Sequence, residues 1–153
     1  MQENHHDPVL IGWRERIGLP SLGIPRVTAK IDTGARTSCL HAFAIEEFQQ
    51  HGATWVRFGV HPYRRNTSHE VWCEAQVIDE RTIRASSGHQ MQRYVIETQI
   101  ELAGLTWTIE MSLANRDDMG YRMLLGRTAL QGHCIIDPEQ SYQHSSPKSR
   151  RTK

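Results

Sequence analysis

At 153 residues, with 18 Lys and Arg against 17 Asp and Glu for a formal net charge of +1, the chain is sized for one domain around one core. A near-neutral balance excludes the strongly basic field that draws nucleic acid, and no acidic tract marks the chain as disordered. Three scattered cysteines, Cys39, Cys73 and Cys134, exclude a disulfide framework and leave at least one free thiol.

Met1 to Pro8 is polar and no long apolar segment follows, so neither a secretory signal nor a membrane span is expected, and a soluble cytoplasmic protein is the default. We read residues 1–8 as a flexible segment, with His5-His6 part of it and not a metal site. Two-residue alternation recurs along the chain while helical periodicity is scarce, which predicts a mainly β fold. Val27, Ala29 and Ile31 alternate into Asp32, and Val56, Phe58 and Val60 alternate beyond Gly52. Between them, Phe48 to Gly52 reads equally as a helical turn or a loop. Val71, Cys73, Ala75 and Val77 form a further strand beyond the His61-Pro62 break. Tyr94, Ile96, Thr98, Ile100 and Leu102, a turn at Ala103-Gly104, then Leu105, Trp107, Ile109, Met111 and Leu113 predict a hairpin with one buried face. Met123-Leu124-Leu125-Gly126 is a short apolar strand. A helix is predicted over Arg127 to Gln131, with Gly132 at its C-terminal cap, before a closing strand, Cys134 to Ile136. Ser, Pro and Gln surround the basic run Lys148 to Lys153, so residues 143–153 read as a disordered tail and not a nucleic-acid arm.

Asp32-Thr33-Gly34 has two readings. Alone it describes a strand ending in a turn that Asp caps and Gly bends, and a bare Asp-Thr-Gly arises by chance in roughly a few per cent of chains this long. Context separates the two. Lys30-Ile31-Asp32-Thr33-Gly34-Ala35-Arg36-Thr37-Ser38 and, much later, Met123-Leu124-Leu125-Gly126-Arg127 resemble the retropepsin plan in order. The likeness is to the bacterial retropepsin-like family often labelled as ATP-dependent zinc proteases, some of whose members are associated with ATP-grasp ligases that add glutamate to ribosomal protein S6. It covers about Ile11 to Tyr142.

The resemblance implies a small closed acid-protease barrel with one short C-terminal helix, occupying residues 9–142. It also implies an aspartic endopeptidase that needs no cofactor. Two carboxylates a few ångströms apart cannot both ionise, so one acts as acid while the other activates water. One chain offers one such acid, with no second Asp-Thr-Gly or Asp-Ser-Gly, so Asp32 of a second copy must complete the pair across a twofold axis. Thr33 would lock the two loops together, Gly34 and Ala35 would let backbone approach the dyad and substrate, and Leu124, Leu125, Gly126 and Arg127 would support the loop. Closing over an extended peptide calls for a flap, expected at Arg84, Ala85, Ser86, Ser87, Gly88 and His89, which equally reads as a surface hairpin turn.

Two departures carry consequences. Viral relatives have an acid where Arg36 stands, which leaves Arg127 without its usual partner. Arg36, Arg84 and Arg93 near a cleft would also favour acidic, glutamate-rich peptides by charge-assisted pairing, and they read equally as three solvated surface arginines. The stretch Phe43 to His69 is extra, and would widen the barrel or meet a partner. Two rival functions stay open. A zinc hydrolase would need three or four ligands, yet no His-Glu-x-x-His occurs and the nearest ligand-like pairs are Cys39 with His41 and His133 with Cys134. No Gly-x-x-x-x-Gly-Lys-Ser/Thr loop supports direct ATP hydrolysis. A dimeric peptide-binding module without catalysis is the other, since a fold does not determine activity.

Overall fold

The computed structural model describes residues 6–84, 88, 90–115 and 120–144. Its strands are β1 (Val9–Ile11), β2 (Arg14–Leu19), β3 (Ile24–Asp32), β4 (Ser38–His41), β5 (Phe43–Gln50), β6 (Ala53–Val60), β7 (Val71–Arg84), β8 (Gln90–Leu102), β9 (Leu105–Ala114), β10 (Met123–Gly126) and β11 (Cys134–Ile136). A 3-10 turn at Pro20–Leu22 links β2 to β3, and one α-helix, α1 (Arg127–Leu130), follows β10. Among the described residues no helix is long and apolar enough to cross a membrane.

Six strands close on themselves in the order β2-β3-β10-β4-β9-β8, with Gly18 of β2 pairing Glu101 of β8 to shut the ring. Closure leaves these strands no open edge. Alternation along them sends Ala29, Leu40, Ile96, Ile100, Met111, Met123 and Leu125 inward, each fully buried, and each of the Leu, Ile and Met side chains contributes about 1.5–3 kcal/mol on leaving water. At the β8–β9 turn both Ala103 (φ 56°) and Gly104 (φ 78°) lie in the left-handed region, the two-residue geometry whose twist matches that of the strands it joins. The mainly β barrel, with a single short α-helix among the described residues, is the architecture expected.

From β8 the sheet continues outward as β7, β6 and β5. A bulge between Val77 and Asp79 lets β7 change partners, with its first half pairing β6 and its second half pairing β8. Gln90 to Tyr94 pair with β7 and not with β9, so the far end of this hairpin is an arm beyond the barrel. Phe48 to Gln50, undecided in the sequence, belong to strand β5, which turns through His51 and Gly52 into β6. The stretch beginning at Phe43 therefore extends the sheet and does not widen the barrel, whose ring excludes β5 and β6.

β1 and β11 form a separate two-stranded parallel sheet. Glu15, fully buried, organises this corner. Its Oε2 accepts from the backbone N–H of Gly12 at 2.7 Å and Gln143 at 2.9 Å, and its Oε1 from that of His144 at 3.2 Å. One carboxylate thus ties the turn between β1 and β2 to residues 143 and 144, after β11. Beside it, burial first and the Glu15 charge second push the Cys134 thiol up to about 11, and burial alone does the same to Cys73. Glu15→Gln keeps one oxygen acceptor and turns an NH2 group toward another N–H donor, so it should cost about 2 kcal/mol, read as a shift in urea midpoint.

Candidate active site

Asp32 ends β3, and the loop 33–37 carries the chain from β3 round the end of β10 into β4. That path exists because β10 lies between the two strands, parallel to β3 and antiparallel to β4, with Gly126 in register with Asp32. A loop crossing a strand end in this way needs the strand to finish without a side chain. A Cβ on Gly126 would sit 2.8 Å from the Thr37 carbonyl carbon and 3.0 Å from both the Ala35 oxygen and the Ser38 nitrogen. Its φ of −85° suits any residue, so glycine is required by contact and not by torsion.

The segment after β10 then ties the loop down from below. The Gly126 N–H donates to Ser38 Oγ at 2.9 Å, Arg127 N–H to Ala35 O at 2.8 Å and Thr128 N–H to Arg36 O at 3.2 Å, while Thr128 Oγ1 donates to Arg36 O at 2.7 Å. The Arg127 guanidinium reaches Gly34 O at 3.2 Å and Thr33 O at 3.4 Å. The partner of Arg127 is therefore the loop's own backbone, which explains how the loop manages without the acid that Arg36 replaces. A single nitrogen, Nη1, with its two N–H donors, serves both carbonyls.

The carboxylate itself is half-buried. Oδ1 accepts the Gly34 N–H at 3.1 Å, and Ala35 N–H turns back to Asp32 O at 3.1 Å. A Cβ on Gly34 would come within 3.3 Å of that same Oδ1. The strand supplies rigidity, the turn supplies one donor, and the exposed Thr33 and Gly34 leave the acid open to solvent.

Leu124 and Leu125 divide their work because neighbours on a strand face opposite ways. Leu125 is fully buried in the core, whereas Leu124 forms a wall of a pocket of about 200 Å³ shared with Ala35 and Thr37. Arg36, exposed, lines a separate groove of about 270 Å³ with Glu110 and Thr128. Of the expected flap, Arg84 ends β7 and Gly88 adopts φ 92°, while Ala85, Ser86, Ser87 and His89 lie outside the described residues. The β7–β8 arm touches the loop through Arg81, whose Nη1 is 3.4 Å from Thr37 Oγ1.

Ser38, Thr128 and Arg81 were not singled out in the sequence. Ser38 and Thr128 flank motif residues, but nothing local reveals that their hydroxyls close the loop. Among the described residues no group of three or more His, Cys, Asp or Glu side chains is placed to hold a metal ion, so the zinc alternative gains no donor set. Cys39 faces the 200 Å³ pocket and the His133 ring stacks on Trp107 at 4.2 Å.

Comparison with known proteins follows the same lines. The model of the RimB-like family, described as retropepsin-like aspartic endopeptidase RimB, matches residues 10–147. Proteins named "Probable alpha-L-glutamate ligase" from Shewanella pealeana, Parasynechococcus marenigrum and Desulfotalea psychrophila are 44%, 46% and 48% identical over 133, 135 and 129 residues. These matches cover 87%, 88% and 84% of this chain but only 29%, 29% and 28% of the relatives, so the chain spans less than a third of the curated relatives it matches. A crystal structure of a Legionella pneumophila protein of unknown function superimposes with a TM-score of 0.74 at 26% identity, covering 90% of this chain and 98% of that one. With the motif loop, the barrel and a family match over nearly its whole length in agreement, this chain belongs to the RimB-like family of retropepsin-like aspartic endopeptidases.

Proposed function

We propose that this chain is one subunit of a homodimeric aspartic endopeptidase acting on glutamate-bearing peptides. The observation that carries the reading is the state of Asp32: an open carboxylate with one oxygen on the Gly34 N–H, on a loop whose carbonyls from Thr33 to Arg36 are all bonded to the segment after β10. A catalytic acid needs that fixity, and the chain holds one acid in this setting where peptide hydrolysis by carboxylates needs two. In the dimer the protonated carboxyl donates to the scissile carbonyl oxygen while its ionised twin takes a proton from water. The water oxygen bonds to the carbonyl carbon, the C–N bond breaks, and the leaving amine takes a proton from the dyad. Thr33, exposed on the loop tip, is the residue proposed to bond across the axis.

Glutamate as the substrate theme rests on the relatives, whose names describe glutamate addition and which carry this domain as a minor part of their length. A hydrolase beside such a ligase would remove what the ligase adds. Arg36 supports it from this chain, since its exposed side chain makes no hydrogen bond or ion pair among the described residues. Three free cysteines fit a reducing cytoplasm. The test is hydrolysis of matched glutamate-rich and lysine-rich peptides by untagged protein, with release of new amino termini as the readout. Faster cleavage of the glutamate series by about tenfold or more is expected. Equal rates would remove the acidic preference, and binding of glutamate peptides without any turnover would make the chain a binding module.

A further inference from the structure

Arg81 and Arg93 stand directly opposite each other on β7 and β8. Like charges in that position repel, so a sheet gains nothing from the pair. Arg81 is compensated: its Nε lies 2.8 Å from Asp79 Oδ2, and Glu110 Oε1 is 3.6 Å from its Nη2. Arg93 is not. Among the described residues it makes no hydrogen bond or ion pair, and its Nε is a buried donor with no acceptor. Leaving such a donor unmet costs stability, and on a pocket wall it is placed to take an acceptor from a ligand.

The place of the pair says which ligand. Both arginines line the 200 Å³ pocket that runs from the β7–β8 arm to the loop bearing Asp32. Val95 and Leu124 give it an apolar wall, and Thr37 and Ser112 bring hydroxyls to its polar side. An apolar wall ending at one unpaired guanidinium fits a side chain of methylenes tipped by a carboxylate. We infer that this pocket is a specificity subsite for one glutamate side chain of the bound peptide, read by Arg93. Arg81, held by Asp79 and Glu110, positions the arm against Thr37 and keeps a second cation facing the pocket. The inference rests on reading the Asp32 loop as a peptide-processing site and adds the residue that reads the substrate.

The test uses the full chain and an octaglutamate peptide in which each glutamate is replaced in turn by glutamine. In the wild type, glutamine at one position should lower kcat/KM by about tenfold. In Arg93→Met the glutamate-to-glutamine ratio at that position should fall to about one while the ratios elsewhere persist, and Arg93→Lys should retain part of it, as a point charge lacking the fork does. Arg93→Met should also unfold at the wild-type temperature or above, because cross-strand repulsion is relieved. A ratio unchanged by Arg93→Met, or a uniform loss at every position with a lowered Tm, overturns the subsite. Calorimetric binding of octaglutamate to the Asp32→Asn chain separates the two readings. Arg93-dependent binding without any wild-type hydrolysis keeps the subsite and removes the peptidase, whereas hydrolysis with no Arg93-dependent position does the reverse.

Discussion

Asp32→Asn should reduce peptide hydrolysis by about a thousandfold or more in kcat, the scale on which a positioned proton-transfer group contributes. The substitution is sterically conservative. The asparagine oxygen can still accept the Gly34 N–H that now reaches Oδ1 at 3.1 Å, and the loop's other bonds run between Ser38, Gly126, Arg127, Thr128 and backbone carbonyls that the change does not touch. Fold and thermal unfolding should therefore match the wild type, and peptide binding should persist. What is lost is an acid that can give and take a proton. Residual turnover within tenfold of wild type, in a chain that unfolds normally, would mean that Asp32 is only the cap of a turn.

Gly126→Ala should destabilise the chain by about 3 kcal/mol and remove activity with it. The added methyl meets the Thr37 carbonyl carbon at 2.8 Å and the Ala35 oxygen and Ser38 nitrogen at 3.0 Å. All three are backbone atoms, so no side chain can swing aside. Either the loop lifts, breaking the Gly126 to Ser38 and Arg127 to Ala35 bonds, or β10 withdraws from its register with β3 and β4. Both routes misplace Asp32. Chemical denaturation and hydrolysis measured on the same preparation check this, and full activity at wild-type stability would show that the loop does not depend on the end of β10.

Elements that bury one face announced themselves. β8 from Ile96 to Leu102 and β9 from Leu105 to Met111 alternate cleanly because there each sends every second residue into the barrel, and Ala103-Gly104 between them permits the tight turn. β3 running into Asp32 and β10 running into α1 were legible for the same reason. β5 was not, since an edge strand with half its surface in solvent carries Glu46, Glu47, Gln49 and Gln50 and loses the alternation that burial imposes. β1, β2 and β4 are short and depend on distant partners, so their pairing with β11, β8 and β9 cannot be read from local pattern.

The candidate site divides along a similar line. Asp32 and Gly126 were readable as motif residues, and steric contact now gives Gly126 a physical reason. Arg127 seemed to lack a partner because a search for acids cannot see backbone carbonyls as acceptors. Glu15 carries no local signal in the sequence, and only the fold brings Gly12, Gln143 and His144 to it. Arg81 and Arg93 are twelve positions apart in sequence, and the bulge at Val77 to Asp79 sets the register that makes them face each other.

The sharing of one active site between two chains is tested most directly by mixing. Wild-type and Asp32→Asn chains, combined in equal amounts and allowed to exchange subunits, form wild-type pairs in about one quarter of the dimers. Under the proposed dimer each site needs an aspartate from both subunits, so activity should fall to about one quarter of that of the same total amount of wild type and should follow the square of the wild-type fraction. Activity that stays at about one half and falls linearly with dilution by the variant would show that each chain works alone.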